Sequence, residues 1–462
     1  MSDRHAMHQT GNPFLTAPVG RLFLSNALPM AVVMSMGGIL NVVDGIFVGR
    51  FIGPDALAAV GLAFPVVMVL TALSTLIGGG MSSLLARHLG AGQRAAAERV
   101  FVGAHGLALA IAAALVAVAL TIGAGSVEHM AVGNGSVAAM VRTYLEILIL
   151  GAPVQFALGL HADALRNEGR AGLIAILSVM VNVFNVAANW LGIVVLGLGI
   201  AGSAVGTIAA QALGLALLIM VRARNPRLLP LASLRRNNWL VGWSEIIRLG
   251  LPLCLGFIGM ALVATTVVVV LRESAGARYD VLVAAYGVVT RILGLAFLPQ
   301  MAVALATQSI TGNNAGAGRH DRAQAALRVA LGTAFLWCLG MAAAVLVAGP
   351  WVGAIFSKDQ AVAEAVATIL RPMMFFYAFS GPVLVLALHF QALGQPARTA
   401  VLTLVKPWFL TPVLVLVAAT AFGSRAIWFA FPAADAMLLM LATAMIRNAR
   451  RRSAVHATEE RT

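Results

Sequence analysis

The residue of this sequence that most needs a chemical explanation is an aspartate set among hydrocarbon. Asp44 stands in Asn41-Val-Val-Asp44-Gly45-Ile-Phe-Val-Gly49-Arg50, closing an apolar segment near residues 22–48. An ionised Asp near the middle of a membrane helix costs roughly 2.5–3.5 kcal/mol, so a chain that retains one generally uses it for ion or proton chemistry. Asp44 is therefore read as a carboxylate that binds and releases a proton or a cation. The competing reading is a helix-end Asp paired with Arg50 at the membrane surface. Against it, Gly45 to Gly49 continue the apolar pattern past Asp44.

Further polar groups recur at helical spacing. Asn182, Asn185 and Asn189 fall at i, i+3 and i+7 and share one helix face. Such a stripe is a polar wall toward protein or water, or a set of interhelical hydrogen bonds worth under about 1 kcal/mol each. Asn41 lies one turn before Asp44, and Thr207 can supply another oxygen from the next segment. Arg291, Lys406, Asp435 and Glu146 line a cavity or form ion pairs. His161, Asp163 and His389 are expected at solvated helix ends. No Gly-x-x-x-x-Gly-Lys-Ser/Thr run occurs and the chain has only two lysines, which argues against ATP-driven transport. The absence of a clustered His/Asp/Glu set with metal-ligand spacing and of a Gly-x-Ser-x-Gly elbow argues against an enzyme or a resident metal.

The elements that must position these residues are membrane helices. Sixty per cent of the 462 residues are hydrophobic and 10% are charged. Mean hydropathy is +0.93. About twelve apolar segments, each long enough to cross a hydrocarbon core of roughly 30 Å, run from 22–48 to 427–446, the tenth being 362–392. The net charge of +14 is concentrated between alternate segments and in the tail, notably at Arg222 to Arg248 and Arg447 to Arg452. That asymmetry follows the positive-inside rule, placing both termini in the cytoplasm and the protein in a plasma membrane, in contact with lipid and not with nucleic acid. The first 20 residues lack the apolar core of a signal peptide. Cys254 and Cys338 sit within apolar segments and read as buried small hydrophobes.

The chain also repeats itself. Ala58-Ala-Val-Gly61 and Gly90-Ala-Gly92 recur as Ala284-Ala-Tyr-Gly287 and Gly316-Ala-Gly318, both at an offset of 226 residues; Leu28-Pro29 recurs as Leu251-Pro252. The expected fold is all-α: twelve transmembrane helices in two six-helix bundles, related by a pseudo-two-fold axis along the membrane normal. The bundles are expected at 21–222 and 246–447, after an amino-terminal segment of residues 1–20. A linker occupies 223–245 and a basic tail 448–462. Val267 stands at the place equivalent to Asp44, so the acid belongs to the first half alone.

The first-helix motif Asn41 to Arg50 after Leu28-Pro29 resembles the multidrug and toxic compound extrusion (MATE) family, in its DinF-like branch. Ala58 to Gly61, Gly90 to Gly92, Thr290-Arg291-Ile292 and Gly312 to Gly318 fit the same pattern. The resemblance implies a monomeric alternating-access antiporter that exports cationic or amphipathic small molecules without a cofactor, in exchange for H⁺ or Na⁺. It implies that Asp44 is the coupling carboxylate, that the first helix bends near Pro29, and that Asn185, Asn189 and Thr207 surround the ion with it. Asn189 departs from the pattern, because many relatives carry a second acid there. With one acid, Na⁺ loses an anionic ligand, although amide and hydroxyl oxygens still coordinate hard cations. A lone carboxylate among amides is suited to switching by protonation, so H⁺ is the expected ion, with Na⁺ at Asp44 as the alternative. The competing functions are a lipid-linked saccharide flippase of the same superfamily and a membrane-embedded enzyme.

Overall fold

A computed structural model describes residues 12–130, 135–356 and 359–459. Residues 1–11 of the amino-terminal segment and 460–462 of the tail lie outside the described residues. The described residues begin with a one-turn helix α1 (Pro13–Thr16). Long helices follow: α2 (Val19–Phe51), α3 (Pro54–Gly90), α4 (Arg94–Met130), α5 (Gly135–Asn167), α6 (Ala171–Trp190) and α7 (Gly199–Arg224). After the short α8 (Ser233–Arg236) come α9 (Trp243–Ser274), α10 (Tyr279–Gly316) and α11 (His320–Phe356). The chain ends with α12 (Gln360–Met373), α13 (Ser380–Ala392), α14 (Pro396–Leu404), α15 (Thr411–Phe422) and α16 (Ala430–Glu459). Among the described residues there is no β-strand, and 11 helices are long and apolar enough to cross a membrane, or up to 12 with one bent pair.

The bent pair lies at 362–392, which is not one continuous helix. The chain breaks between α12 and Tyr377, bending by 61°. Pro372 and Pro382 bracket the break; neither has an N–H to give to the preceding turn, so the helix loses its ladder on both sides of it. The π-turns Leu191–Val195, after α6, and Val405–Leu410, between α14 and α15, are two further local departures from α geometry.

By contact the chain forms two compact units. The first holds Met1–Ile258, Leu305–Val329 and His389–Pro396; the second holds Gly259–Ala304, Ala330–Leu388 and Ala397–Thr462. The core of the first is built on Phe101, Phe156, Leu85 and Ile77 from α3, α4 and α5. That of the second is built on Ile369, Leu370, Tyr286 and Trp428. Within the first unit the sequence repeat becomes a reciprocal contact. A Cβ on Gly90 would strike the carbonyl of Asn313, and one on Gly316 would strike the carbonyl of Arg87. Each glycine lies three residues after the repeat equivalent of the carbonyl it receives, so the two copies clasp each other symmetrically. Gly92 and Gly318 then take the left-handed conformation, at φ 72° and 73°, that ends each helix.

The segment 223–245, expected as a polar linker, is strapped to α4. Gly103 and Gly106 leave room for the carbonyls of Val241 and Trp239 against the helix backbone. Its start is anchored by Arg222, whose Nη1 and Nη2 each donate to Glu168 at 3.0 Å, while Leu229 N donates to the same carboxylate at 2.6 Å. Burial pushes the Glu168 carboxyl above the usual range, and the Arg222 guanidinium opposes that shift.

Candidate functional site

Asp44 is held by α2, seven residues before that helix ends at Phe51, so it is not a helix-end residue. One turn later on the same face, Val48 is buried among Ala56, Ala59, Ala63, Val141 and Leu145 of α3 and α5. This packing fixes the rotation of α2 and turns Asp44 toward α6. There the Asn189 carboxamide Nδ2 donates to Asp44 Oδ1 at 2.7 Å and to Asn185 Oδ1 at 3.3 Å. Asn189 is fully buried and Asn185 is 2% exposed. Among the described residues Asp44 makes no ion pair, so Arg50 is not its partner.

The Asn189 carboxamide fits because of the helix beside it. Gly202, Gly206, Ala210 and Gly214 recur every fourth residue along α7 and form a seam of small residues against α6. A Cβ on Gly206 would overlap Asn189 Oδ1 and lie 3.1 Å from the Asn189 backbone nitrogen. A Cβ on Gly202 would lie 2.6 Å from the Gly192 carbonyl carbon. The two helices therefore meet backbone to backbone, and Asn189 Oδ1 is pressed to the Gly206 wall without a hydrogen-bond donor.

The remaining sequence candidates separate. Thr207 Oγ1 donates to the Ser203 carbonyl at 3.0 Å, which keeps its lone pairs free. Asn182 is half-buried and joins no hydrogen bond with Asn185 or Asn189, while Asn41 and Arg291 are exposed. Pro29 lies inside the continuous α2. Glu146 pairs with Arg142 on an exposed face at 2.7 Å. Lys406 and Asp435 form an ion pair in the second unit, Lys406 on the π-turn before α15 and Asp435 on α16.

Of three groups expected in solvent, two are buried and Asp163 is half-buried, its side chain 23% exposed. His161 and His389 are 2% and 6% exposed. Asp163 pairs at 2.8 Å with Arg166, whose side chain is 3% exposed. Sequence reasoning also missed the Arg166 cluster, in which the guanidinium donates to Ser82, Gln308 and Ser309. Gly206 was missed as well, although the four-residue spacing of small residues on α7 is a signal that could have found it.

A family model described as MatE matches this chain over residues 29–191 and 252–431. Over 446 residues the chain is 24% identical to a Shewanella oneidensis protein described as an FAD transporter, covering 95% of each. Over 461 residues it is 23% identical to the multidrug export protein MepA of Staphylococcus aureus, covering 96% of this chain and 97% of that one. A solved outward-facing conformation of a multidrug resistance MATE family transporter matches with a TM-score of 0.87 at 24% identity, covering 96% of this chain and 98% of that one. At that identity the structural likeness carries the fold alone.

Proposed function

This chain belongs to the MatE family, and from that premise we propose that it is a secondary active antiporter with Asp44 as the ion-binding carboxylate. It exports cationic or amphipathic small molecules in exchange for H⁺, with Na⁺ as the alternative ion. It does so as a monomer in the bacterial inner membrane, with both termini cytoplasmic. Its residues 21–222 and 246–447 serve as the two bundles of an alternating-access cycle. Similarity to the multidrug export protein MepA supports the substrate class.

The observation that carries the reading is the 2.7 Å bond from Asn189 Nδ2 to Asp44 Oδ1. An amide NH₂ that donates to Asp44 and to Asn185 together requires Asp44 to be an acceptor, which an ionised carboxylate is. A proton on Oδ1 makes that oxygen a donor, and the Asn189 carboxamide then turns its oxygen toward Asp44 and gives up its bond to Asn185; a proton on Oδ2 leaves Oδ1 an acceptor and the bond in place. Protonation of Oδ1 is thus passed from α2 to the α6 face by a single amide rotation. A cation bound beside Asp44 would instead draw on its carboxylate, the Thr207 lone pairs and, once the Asn189 carboxamide turns away from the Gly206 wall, its oxygen, a hard-oxygen set. Either ion couples the two fluxes if the inward- and outward-open states bind it with different affinity.

Uptake of the fluorescent cation ethidium into proteoliposomes, driven by an imposed pH gradient or an imposed Na⁺ gradient, tests the reading. Asp44→Asn removes the exchangeable charge and is expected to reduce driven transport to the protein-free background. Wild-type transport by Asp44→Asn refutes the assignment, and transport driven by Na⁺ alone reverses the choice of ion. A second reading, export of an anionic dinucleotide, is favoured by the likeness to the Shewanella oneidensis protein described as an FAD transporter. FAD counterflow in the same vesicles separates the two.

A further inference from the structure

We infer that Gln211, with Asn185 and Gln155, forms a second tier of amide oxygens about one helical turn deeper than Asp44. This tier takes the hydrated monovalent cation, hydronium or Na⁺, that Asp44 releases toward the cytoplasm. The inference rests on the antiport reading above.

The register of three helices places the tier. Along α6 and α7 the close approaches pair Gly192 with Gly202, Asn189 with Gly206 and Val181 with Gly214. These helices run antiparallel with a constant register, which sets Gln211 within about one residue of the level of Asn185, or roughly 1.5 Å along the axis. Between α5 and α7 a Cβ on Gly151 would meet Ile208, and one on Gly214 would lie 3.2 Å from Leu158. Those contacts run parallel and bring Gln155 to the level of Gln211. Asn185 joins this tier to the one above, because its Oδ1 accepts from Asn189 at 3.3 Å.

The chemistry of the tier comes from an unsatisfied atom. Gln211 Oε1 is buried and has no hydrogen-bond donor, as is true of Asn189 Oδ1 one turn away. Buried carbonyl oxygens are nearly always satisfied, so each that is not calls for an explanation. An unsatisfied amide oxygen at Gln211, one turn from Asp44, the only acidic residue of α2, fits a station for a positive charge. Ser203, Thr207 and Gln211 repeat every fourth residue, so α7 presents a hydroxyl and amide stripe next to its glycine seam. The α7 seam is tightly packed on both sides of the tier. Gly192 and Gly202 meet backbone to backbone on the outer side, and the side chains of Val181 and Leu158 meet Gly214 on the inner side.

In the proton case the Asp44 O–H bond breaks and its proton passes to a water held by the amide oxygens. A carboxylate remains at Asp44 and hydronium at the tier. In the sodium case the ion exchanges the Asp44 carboxylate for the neutral oxygens of Gln211 and Asn185 and is bound less tightly there. Neutral ligands suit a station that must release its ion.

Gln211→Met keeps the length and volume of the side chain and removes both polar atoms. In proteoliposomes ethidium transport by this variant is expected to fall at least tenfold, while equilibrium ethidium binding in detergent stays within twofold of wild type. Gln211→Asn, which keeps a neutral amide oxygen, is expected to stay within threefold of the wild-type rate. Running each variant under a pH gradient alone and under a Na⁺ gradient alone tells hydronium from sodium. Should Gln211→Met fail to fold, Gln155→Met carries the same expectation and replaces it. Wild-type transport by the folded Met variant, with Asp44→Asn inactive, overturns this inference alone. Undiminished transport by Asp44→Asn overturns the antiport assignment and the second tier with it.

Discussion

Gly206→Ala tests whether the Asn189 carboxamide is placed by the α6–α7 seam. A Cβ at this position would overlap Asn189 Oδ1 and approach the Ala188 carbonyl carbon to 3.2 Å. Because the nearest obstacles include backbone, a rotamer change at Asn189 relieves only part of the clash; the helices must also separate. Overpacking of this kind costs about 1–3 kcal/mol in stability. Displacing the carboxamide also removes its bond to Asp44, and a hydrogen bond to a charged group is worth about 1.5–3 kcal/mol. At about 1.4 kcal/mol per tenfold, that second loss corresponds to a roughly 10- to 100-fold fall in coupled transport. Ethidium transport in proteoliposomes reads the rate, and thermal unfolding in detergent reads the packing cost. Gly61→Ala is the control, since a Cβ there meets nothing within 4 Å. In an Asn189→Ala background, Gly206→Ala should add little to the transport defect, because the two changes act through one contact. A wild-type rate in Gly206→Ala, or full additivity in the double variant, refutes the reasoning.

Two further outcomes concern stability. Lys406→Met strands Asp435, 12% exposed within a membrane helix, and should destabilise the protein by about 3 kcal/mol; Lys406→Met with Asp435→Leu should recover most of the loss, both read by thermal unfolding. Gly90→Ala drives a methyl into the Asn313 carbonyl and should lower the unfolding temperature more than any single substitution at Asp44, Asn185 or Asn189, whereas Gly92→Asn, at a left-handed helix end, should be mild.

Much of the architecture was legible because it is written in local patterns. Apolar runs of about 20 residues mark spans whatever surrounds them, since the hydrocarbon core admits few alternatives to a helix. The tenth span is the exception: Pro372 and Pro382 were visible in the sequence, but membrane helices carry many prolines without breaking, as α2 does at Pro29. The 226-residue repeat was legible for a related reason, because the Gly-Ala-Gly turns need particular backbone freedom at fixed positions. Helical periodicity placed Asn182, Asn185 and Asn189 on one face, yet only Asn185 and Asn189 are buried and only Asn189 bonds to Asp44, while Asn182 is half-buried.

What the sequence determined by itself, then, is the membrane class, the positions of the spans, the repeat and a short set of polar groups within them, because hydropathy and helical period act over neighbouring residues. What only the tertiary structure decided is which of those groups meet. Asp44 and Asn189 lie 145 residues apart and Lys406 and Asp435 lie 29 apart. Arg166 finds Ser309 across 143 residues, and His161 is buried where its place near a helix end suggested water. Each of these partnerships depends on how close two helix backbones come and how each helix is rotated. On α6 and α7 that distance is set by Gly202 and Gly206, residues whose contribution is the absence of a side chain.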